Sequence, residues 1–160
     1  EAPGRLETIH GKDGKTIVID YAHTPDALEN VLKTLRKVCH DGQIVCVFGC
    51  GGDRDRTKRP EMAQIAEKYA DSIIVTSDNS RTESTQAIIE EICTGFSPAA
   101  ASKVLRIADR KEAIRAAMMF SKPGATILLA GKGHENYQII GTEKLHFDER
   151  EIVEEVLKSC

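Results

Sequence analysis

Residues 73–81 read IIVTSDNSR, three apolar residues followed at once by six polar ones. Apolar and β-branched residues favour a buried strand, so the polar residues are predicted to form a loop at its carboxyl end. In an open α/β sheet, ligands bind at this edge of the sheet. The stretch therefore predicts a parallel sheet and marks a place where a binding site can form on it.

The same loop also has a purely structural interpretation. Ser80, Thr82 or Ser84 could cap a helix that continues through Ile92, because a hydroxyl at a helix N-cap accepts a hydrogen bond from the backbone. The local sequence leaves both interpretations open.

Polar or glycine-rich clusters follow three further strand candidates. These three clusters begin at Asp20, Gly49 and Gly131, and the loop that begins at Thr76 is the fourth. The carboxyl ends of parallel strands lie side by side, so we expect the four clusters to converge on one edge of the sheet. The sequence thus predicts a single composite site.

The order of elements predicts the fold class. A β-hairpin around Asp13 and Gly14 comes first, and repeated strand-loop-helix units follow. We expect an α/β fold: a three-layer, Rossmann-like open sheet, mostly parallel with an antiparallel edge hairpin, and with helices on both faces. Thr24 and Asp109 are predicted helix caps. The predicted strands are 5–10, 16–20, 43–48, 72–76, 103–107 and 126–130, and the predicted last helix is 148–157.

Composition argues against several classes of protein. The 22 Lys and Arg are outnumbered by 25 Asp and Glu, so the net charge of -3 gives no positive field for nucleic acid. No apolar run approaches the roughly 18 residues of a membrane-spanning helix, and the first residues do not form a signal peptide. We expect a cytoplasmic monomer without nucleic acid or membrane partners. Residues 1–4 are predicted to be the remnant of a linker and residues 5–160 to be one domain.

The five cysteines do not indicate a metal site. Cys46 and Cys50 have the spacing of half a zinc site, but Cys46 lies within a predicted strand and no second pair follows. We therefore predict no bound metal.

Two glycine-rich clusters are candidates for nucleotide-binding loops. Residues 49–54 read GCGGDR, but Arg54 stands where the dinucleotide fingerprint requires its third glycine. Residues 131–135 read GKGHE, too short for a phosphate-binding P-loop, and Glu135 instead offers a carboxylate to an ammonium group. A free-standing Rossmann-like nucleotide-binding module remains an alternative.

Four stretches together resemble the C-terminal domain of the bacterial Mur ligases. They are DYAHTPDAL at 20–28, GCGGDRDR at 49–56, SDNSR at 77–81 and GKGHE at 131–135. The resemblance is strongest to members that add the third residue of the peptidoglycan stem peptide. It implies an ATP-dependent amide-bond ligase that forms an acyl phosphate on UDP-MurNAc-L-Ala-D-Glu. ATP and Mg²⁺ would be bound mainly by a central domain, so this domain is expected to be inactive alone and to hold no catalytic residue.

The resemblance also implies which residues bind the incoming amino acid. At the family's Asp-Asn-Pro-Arg motif this chain has Ser80 instead of proline, but it keeps Arg81, whose planar fork suits the distal carboxylate of meso-diaminopimelate. A ligase that adds L-lysine is the alternative within the family. The implied diaminopimelate contacts are Arg54, Asp78, Asn79, Arg81, Gly131 and Glu135. The residues implied to face the nucleotide are Asp20, Tyr21 and His23.

Overall fold

A six-stranded sheet forms the centre of the computed structural model, which describes residues 6–159. Its order is β1-β2-β6-β3-β4-β5, and only β1 runs antiparallel to its neighbour. Every residue of β3 and β6 is buried, as their continuous apolar runs predict. The strands are β1 Glu7–His10, β2 Thr16–Asp20, β3 Ile44–Phe48, β4 Ser72–Val75, β5 Val104–Arg106 and β6 Thr126–Ala130.

Helices cover both faces of this sheet, which confirms the predicted three-layer α/β fold. The helices are α1 Pro25–Cys39, α2 Lys58–Tyr69, α3 Thr85–Cys93, α4 Arg110–Phe120 and α5 Glu149–Ser159. Apolar residues of α1, α2 and α3 pack in one core cluster, and those of α4 and α5 pack in the other. A separate two-stranded hairpin, β7 Tyr137–Ile140 and β8 Glu143–His146, lies after β6.

Three helices begin at the side chains that the sequence singled out. Thr24 Oγ1 accepts from Ala27 N at 3.2 Å with Pro25 at the first position of α1, and Asp109 Oδ1 accepts from Lys111 N. Of the three candidate caps for α3, Ser84 makes the bond. Ser80 and Thr82 therefore belong to the loop before the helix.

Some boundaries differ from the predicted ones. The predicted hairpin of β1 and β2 is present, and its turn is a short 3₁₀ turn, Lys12–Gly14, with Asp13 in the left-handed region. The helix α2, for which the sequence predicted no first residue, begins at Lys58 with Pro60 in its first turn, where proline is tolerated. Strand β4 ends at Val75, so Thr76 is already part of the loop.

Some predictions fall outside the described residues. The linker remnant at 1–4, the first residue of the predicted strand at Arg5, and Cys160 are among them. The division of the chain at residue 5 therefore stays a prediction. Within 6–159, no helix is long and apolar enough to cross a membrane.

Candidate functional site

The four polar clusters converge on one edge of the sheet, as the strand order requires. β2, β6, β3 and β4 are successive neighbours, so their carboxyl ends lie in a row. Backbone bonds join the clusters: Gly131 N donates to Asp20 O at 3.0 Å, and Gly52 N donates to Asn79 O at 2.8 Å. The four clusters thus form one continuous rim, and that this rim is a binding site stays a prediction.

The glycines of residues 49–52 make room for the loop that follows β4. A Cβ atom at Gly52 would lie 1.8 Å from Ser80 O, and one at Gly49 would lie 2.3 Å from Thr76 O. Both distances are far inside van der Waals contact. The helix α2 begins only at Lys58, so its N-terminus does not follow the glycines directly. These glycines serve the packing of two loops, an arrangement unlike a dinucleotide-binding turn.

Arg81 is held by contacts to both its backbone and its side chain. Its backbone lies in the left-handed region, with φ 52°. The hairpin β7–β8 pairs with it there, since Arg81 N donates to Ile139 O at 3.1 Å and Gly141 N donates to Arg81 O at 2.7 Å. Its Nη1 donates to Gly52 O at 3.0 Å and to Asn79 O at 3.3 Å. The guanidinium is thus braced by the two hydrogen bonds of Nη1 alone. Its other N–H groups donate to no acceptor among the described residues.

Beneath this loop lies a buried cluster centred on Lys132. Its side chain is fully buried, and Nζ donates to Asn79 Oδ1 at 3.0 Å and to Tyr137 O at 2.9 Å. Two carboxylates flank it, with Asp78 Oδ1 at 3.2 Å and Glu135 Oε1 at 3.6 Å. A buried ammonium requires such compensation. Lys132 lies between two glycines in the stretch GKGHE, and the sequence alone predicts no role for it.

Asp78 is buried in the same cluster and is ionised. Burial acts to raise its pKa, but the charges of Arg110 and Lys132 outweigh this effect and hold the pKa below its ordinary value. Its Oδ1 accepts from Asn79 N at 2.8 Å. Gly131, with φ 117°, lets the backbone pass close to this carboxylate, because a Cβ there would lie 3.0 Å from Asp78 Oδ2.

A second buried cation joins the ends of two strands. Arg110 donates from Nη1 to Ser77 O and from Nη2 to Ala130 O, both at 2.9 Å, and from Nε to Glu149 Oε2 at 2.7 Å. Both charged side chains are fully buried. This pair links α4 and α5 to the rim, and no local pattern in the sequence indicates it, since its partners lie far apart in the chain.

Arg54, by contrast, extends from the rim into solvent. It is exposed, and its Nη1 donates to the neighbouring Asp53 O at 2.9 Å. Arg54 and Arg81 lie on the same rim, but no hydrogen bond or ion pair among the described residues connects their side chains. The sequence-based assignment of Arg54 to the substrate stays a prediction.

The loop that carries Arg54 is anchored by Arg59, which is fully buried. Its Nη2 donates to Gly51 O at 2.9 Å and to Glu83 Oε2 at 2.8 Å, and its Nη1 donates to Glu91 Oε1 at 3.1 Å. Glu83 also accepts from Asp53 N at 2.6 Å. Hydrogen bonds from Arg59 and Asp53 lower the pKa of Glu83 to about 2.

Asp20, Tyr21 and His23 line a different part of the rim, a groove of about 530 Å³ beside α1. His23 Nδ1 lies 2.9 Å from Tyr21 O, and the two rings meet edge to face at 4.6 Å. Lys58 Nζ donates to His23 O at 2.8 Å. These residues are near neighbours, but the groove does not include Arg81 or Asn79.

The described residues do not form a metal centre. Among them, no group of three His, Cys, Asp or Glu side chains is arranged to hold a metal ion. Burial raises the pKa of both Cys46 and Cys50 to about 12, so these two thiols are protonated and unreactive at neutral pH.

Three curated relatives resemble this chain over nearly its whole length. They are the UDP-N-acetylmuramoyl-L-alanyl-D-glutamate--2,6-diaminopimelate ligases of Synechococcus elongatus, Geobacter sulfurreducens and Bacillus cereus. The identities are 56%, 53% and 51%, over 93%, 93% and 97% of this chain. The chain spans only 30–32% of the length of these relatives.

Solved structures give the same picture. A structure of a UDP-N-acetylmuramoyl-L-alanyl-D-glutamate--2,6-diaminopimelate ligase matches 99% of this chain and 32% of its own, with 43% identity and a TM-score of 0.91. A bifunctional folylpolyglutamate synthase/dihydrofolate synthase from Yersinia pestis matches 82% of this chain with a TM-score of 0.63, and at 17% identity it shows the shared fold alone. The family model described as Mur ligase, glutamate ligase domain, matches residues 4–133. This chain therefore belongs to the Mur ligase family, as the sequence motifs implied.

Proposed function

We propose that this chain is the amino-acid-binding domain of an ATP-dependent ligase that adds meso-diaminopimelate to UDP-MurNAc-L-Ala-D-Glu in peptidoglycan synthesis. The names of the similar ligases support this reaction, and the chain's share of their length supports a domain role. The observation that carries the proposal is the braced guanidinium of Arg81, which has N–H groups without a partner in the described residues.

The distal end of diaminopimelate carries a carboxylate and an ammonium group. Arg81 binds the carboxylate, because a guanidinium can donate two parallel N–H bonds to it. Asn79 adds amide donors from the same loop, and Glu135 accepts from the ammonium. The Glu135 carboxylate, which also raises the pKa of Tyr137, is half-buried at the rim. L-Lysine lacks the distal carboxylate, so it would leave Arg81 unpaired, and the site therefore favours diaminopimelate over the lysine-adding alternative.

The remaining sequence-predicted residues have supporting roles in this proposal. Gly131 lets the backbone approach the substrate, Asp78 stabilises the loop from below, and Arg54 contacts the substrate from the exposed side of the rim. Ser80, at the family's proline, forms a 2.6 Å hydrogen bond between its hydroxyl and that of Thr85, which restrains the loop in a different way.

In the reaction, ATP converts the D-glutamate carboxylate to an acyl phosphate, and the amine of diaminopimelate attacks that carbon. This domain contributes by positioning the amine, an effect worth several kcal/mol when the geometry is near attack. ATP and Mg²⁺ are bound mainly by another domain, with Asp20, Tyr21 and His23 facing the nucleotide from this one. The enzyme acts as a cytoplasmic monomer, and this domain alone does not turn over.

The test is the variant Arg81→Ala in the full-length ligase. Loss of a bidentate charged pair should raise the KM for meso-diaminopimelate by roughly a hundredfold, with the KM for ATP changed by less than about threefold. Arg106→Ala, which removes an exposed arginine from β5, is the matched control. Equal losses toward both substrates would contradict the proposal.

Calorimetry distinguishes the proposed function from the alternative, a free-standing nucleotide-binding module. Titration of residues 1–160 with NAD and with meso-diaminopimelate should show no preference for NAD. Tight binding of NAD alone would favour the module.

A further inference from the structure

Lys132 contacts Asn79 in a way that determines what Asn79 can offer a ligand. Asn79 Oδ1 accepts two hydrogen bonds, from Lys132 Nζ at 3.0 Å and from Ile139 N at 2.9 Å. An ammonium and a backbone N–H can only donate. The atom between them must therefore be the amide oxygen, and the chemistry of the neighbours determines the orientation of the amide.

With its oxygen turned inward, Asn79 presents its NH₂ group on the opposite side. Asn79 Nδ2 makes no hydrogen bond within residues 6–159. Among these residues, the fully buried side-chain atoms without a hydrogen-bond partner are Arg59 Nε and Glu149 Oε1, so Asn79 Nδ2 is not fully buried. The nitrogen therefore keeps some accessible surface, although Asn79 as a whole is only 6% exposed. It lies on the loop of Arg81, whose guanidinium is likewise a donor only.

We infer that Lys132 is a positioning residue: it holds the Asn79 amide so that its N–H groups, beside those of Arg81, face the substrate's distal carboxylate. This inference rests on the proposed function, in which that carboxylate is the ligand. If Lys132 were absent, only Ile139 N would hold the oxygen, and a rotated amide would present an acceptor to a carboxylate. Lys132 thereby contributes to specificity without contacting the substrate.

A merely structural role for Lys132 is the competing interpretation. Its ammonium also compensates Asp78 and Glu135, so its removal will affect stability whether or not it orients Asn79. The test therefore compares diaminopimelate with L-lysine, which lacks the distal carboxylate. A general loss of stability would reduce the use of both amino acids alike.

The first measurement uses Asn79→Asp in the full-length ligase. Aspartate keeps an acceptor toward Lys132 and Ile139, but it replaces the outward NH₂ group with an oxygen. Aspartate adds a third carboxylate beside Lys132, so we expect a lower Tm than wild type. We also expect a KM for meso-diaminopimelate raised roughly tenfold or more, and little change for L-lysine. An unchanged ratio of the kcat/KM values for the two amino acids would overturn the inference.

The second measurement is a double-mutant cycle with Lys132→Met and Asn79→Ala. If Lys132 acts through Asn79, Lys132→Met should raise the KM for meso-diaminopimelate roughly tenfold in the wild-type background and by less than about twofold in the Asn79→Ala background. Equal effects in both backgrounds would overturn the inference. Lys132→Gln, which keeps a donor without the charge, should recover part of the loss, and it replaces Lys132→Met in the cycle if that variant does not fold.

Two further variants complete the design. Lys37→Met changes an exposed lysine on α1 and should leave both KM values unchanged. Arg81→Ala separates the inference from the proposed function on which it rests. If Arg81→Ala does not alter the preference for diaminopimelate, the proposed function fails; if it does, but the cycle is additive, only the role of Lys132 fails.

Discussion

Arg81 Nη1 donates to the carbonyl oxygen of Gly52 at 3.0 Å, so the loops after β3 and β4 are joined through a side chain placed at the rim. The same nitrogen lies 3.3 Å from Asn79 O, and the Arg81 backbone has φ 52°. The guanidinium is therefore oriented before any ligand arrives. Such preorganisation lowers the entropy cost of binding.

Arg81→Lys should lose most of the function of Arg81 although it keeps the charge. An ammonium cannot donate in the fork geometry of a guanidinium, and it cannot at once contact Gly52 O and both oxygens of a carboxylate. We expect the KM for meso-diaminopimelate of the full-length ligase to rise at least about tenfold. A KM within about twofold of wild type would show that charge alone is sufficient.

Gly52→Ala should disturb the contact between the two loops. The added Cβ would lie 1.8 Å from Ser80 O, so the backbone must shift, at a cost of about 1–3 kcal/mol in the free energy of unfolding. Urea unfolding of residues 1–160 measures this cost. Gly42→Ala is the control, because its Cβ would have no contact closer than 3.4 Å. Equal stability of the two variants would contradict the prediction.

Arg110→Met should destabilise the chain by about 3–5 kcal/mol, because it leaves Glu149 buried without its cation. The double variant Arg110→Met/Glu149→Leu should lose less than the sum of the two single variants, since it contains no unpaired buried charge. The free energies of unfolding in urea give this coupling directly. Strictly additive losses would mean that the two side chains act independently.

From the lowered pKa of Glu83 we expect the chain to lose stability over a defined range of acid pH. Its pKa is lowered from 4.5 to about 2 in the folded chain, so its contribution to stability is fully present above pH 4.5. As the pH falls from 4.5 toward 2, the unfolded chain binds the proton first and the contribution is lost.

The measurement is the free energy of unfolding as a function of pH. Glu83→Gln should lower stability at pH 7 and should show a shallower decline between about pH 4.5 and 2 than the wild-type chain. Glu143→Gln, at an exposed position in β8, should decline like wild type. Identical slopes for the wild-type and Glu83→Gln chains would contradict the assignment.

The predicted elements were accurate where a local pattern was sufficient. The caps at Thr24 and Asp109 and the buried strands β3 and β6 depend on residues close together in the chain, and the structure confirms them. The start of α2 has no such local signal, because Pro60 is compatible with a helix that begins before it.

The sequence by itself determined the α/β architecture and the edge at which its polar clusters meet, because strand ends in a parallel sheet must lie side by side. Only the tertiary structure decided which polar groups face the ligand and which are buried beneath it. Lys132 and Asn79 lie 53 positions apart, and Arg110 and Glu149 lie 39 apart. No local pattern encodes such a pair, since the burial that forces each charge to find a partner arises only when the helices and the hairpin pack on the rim.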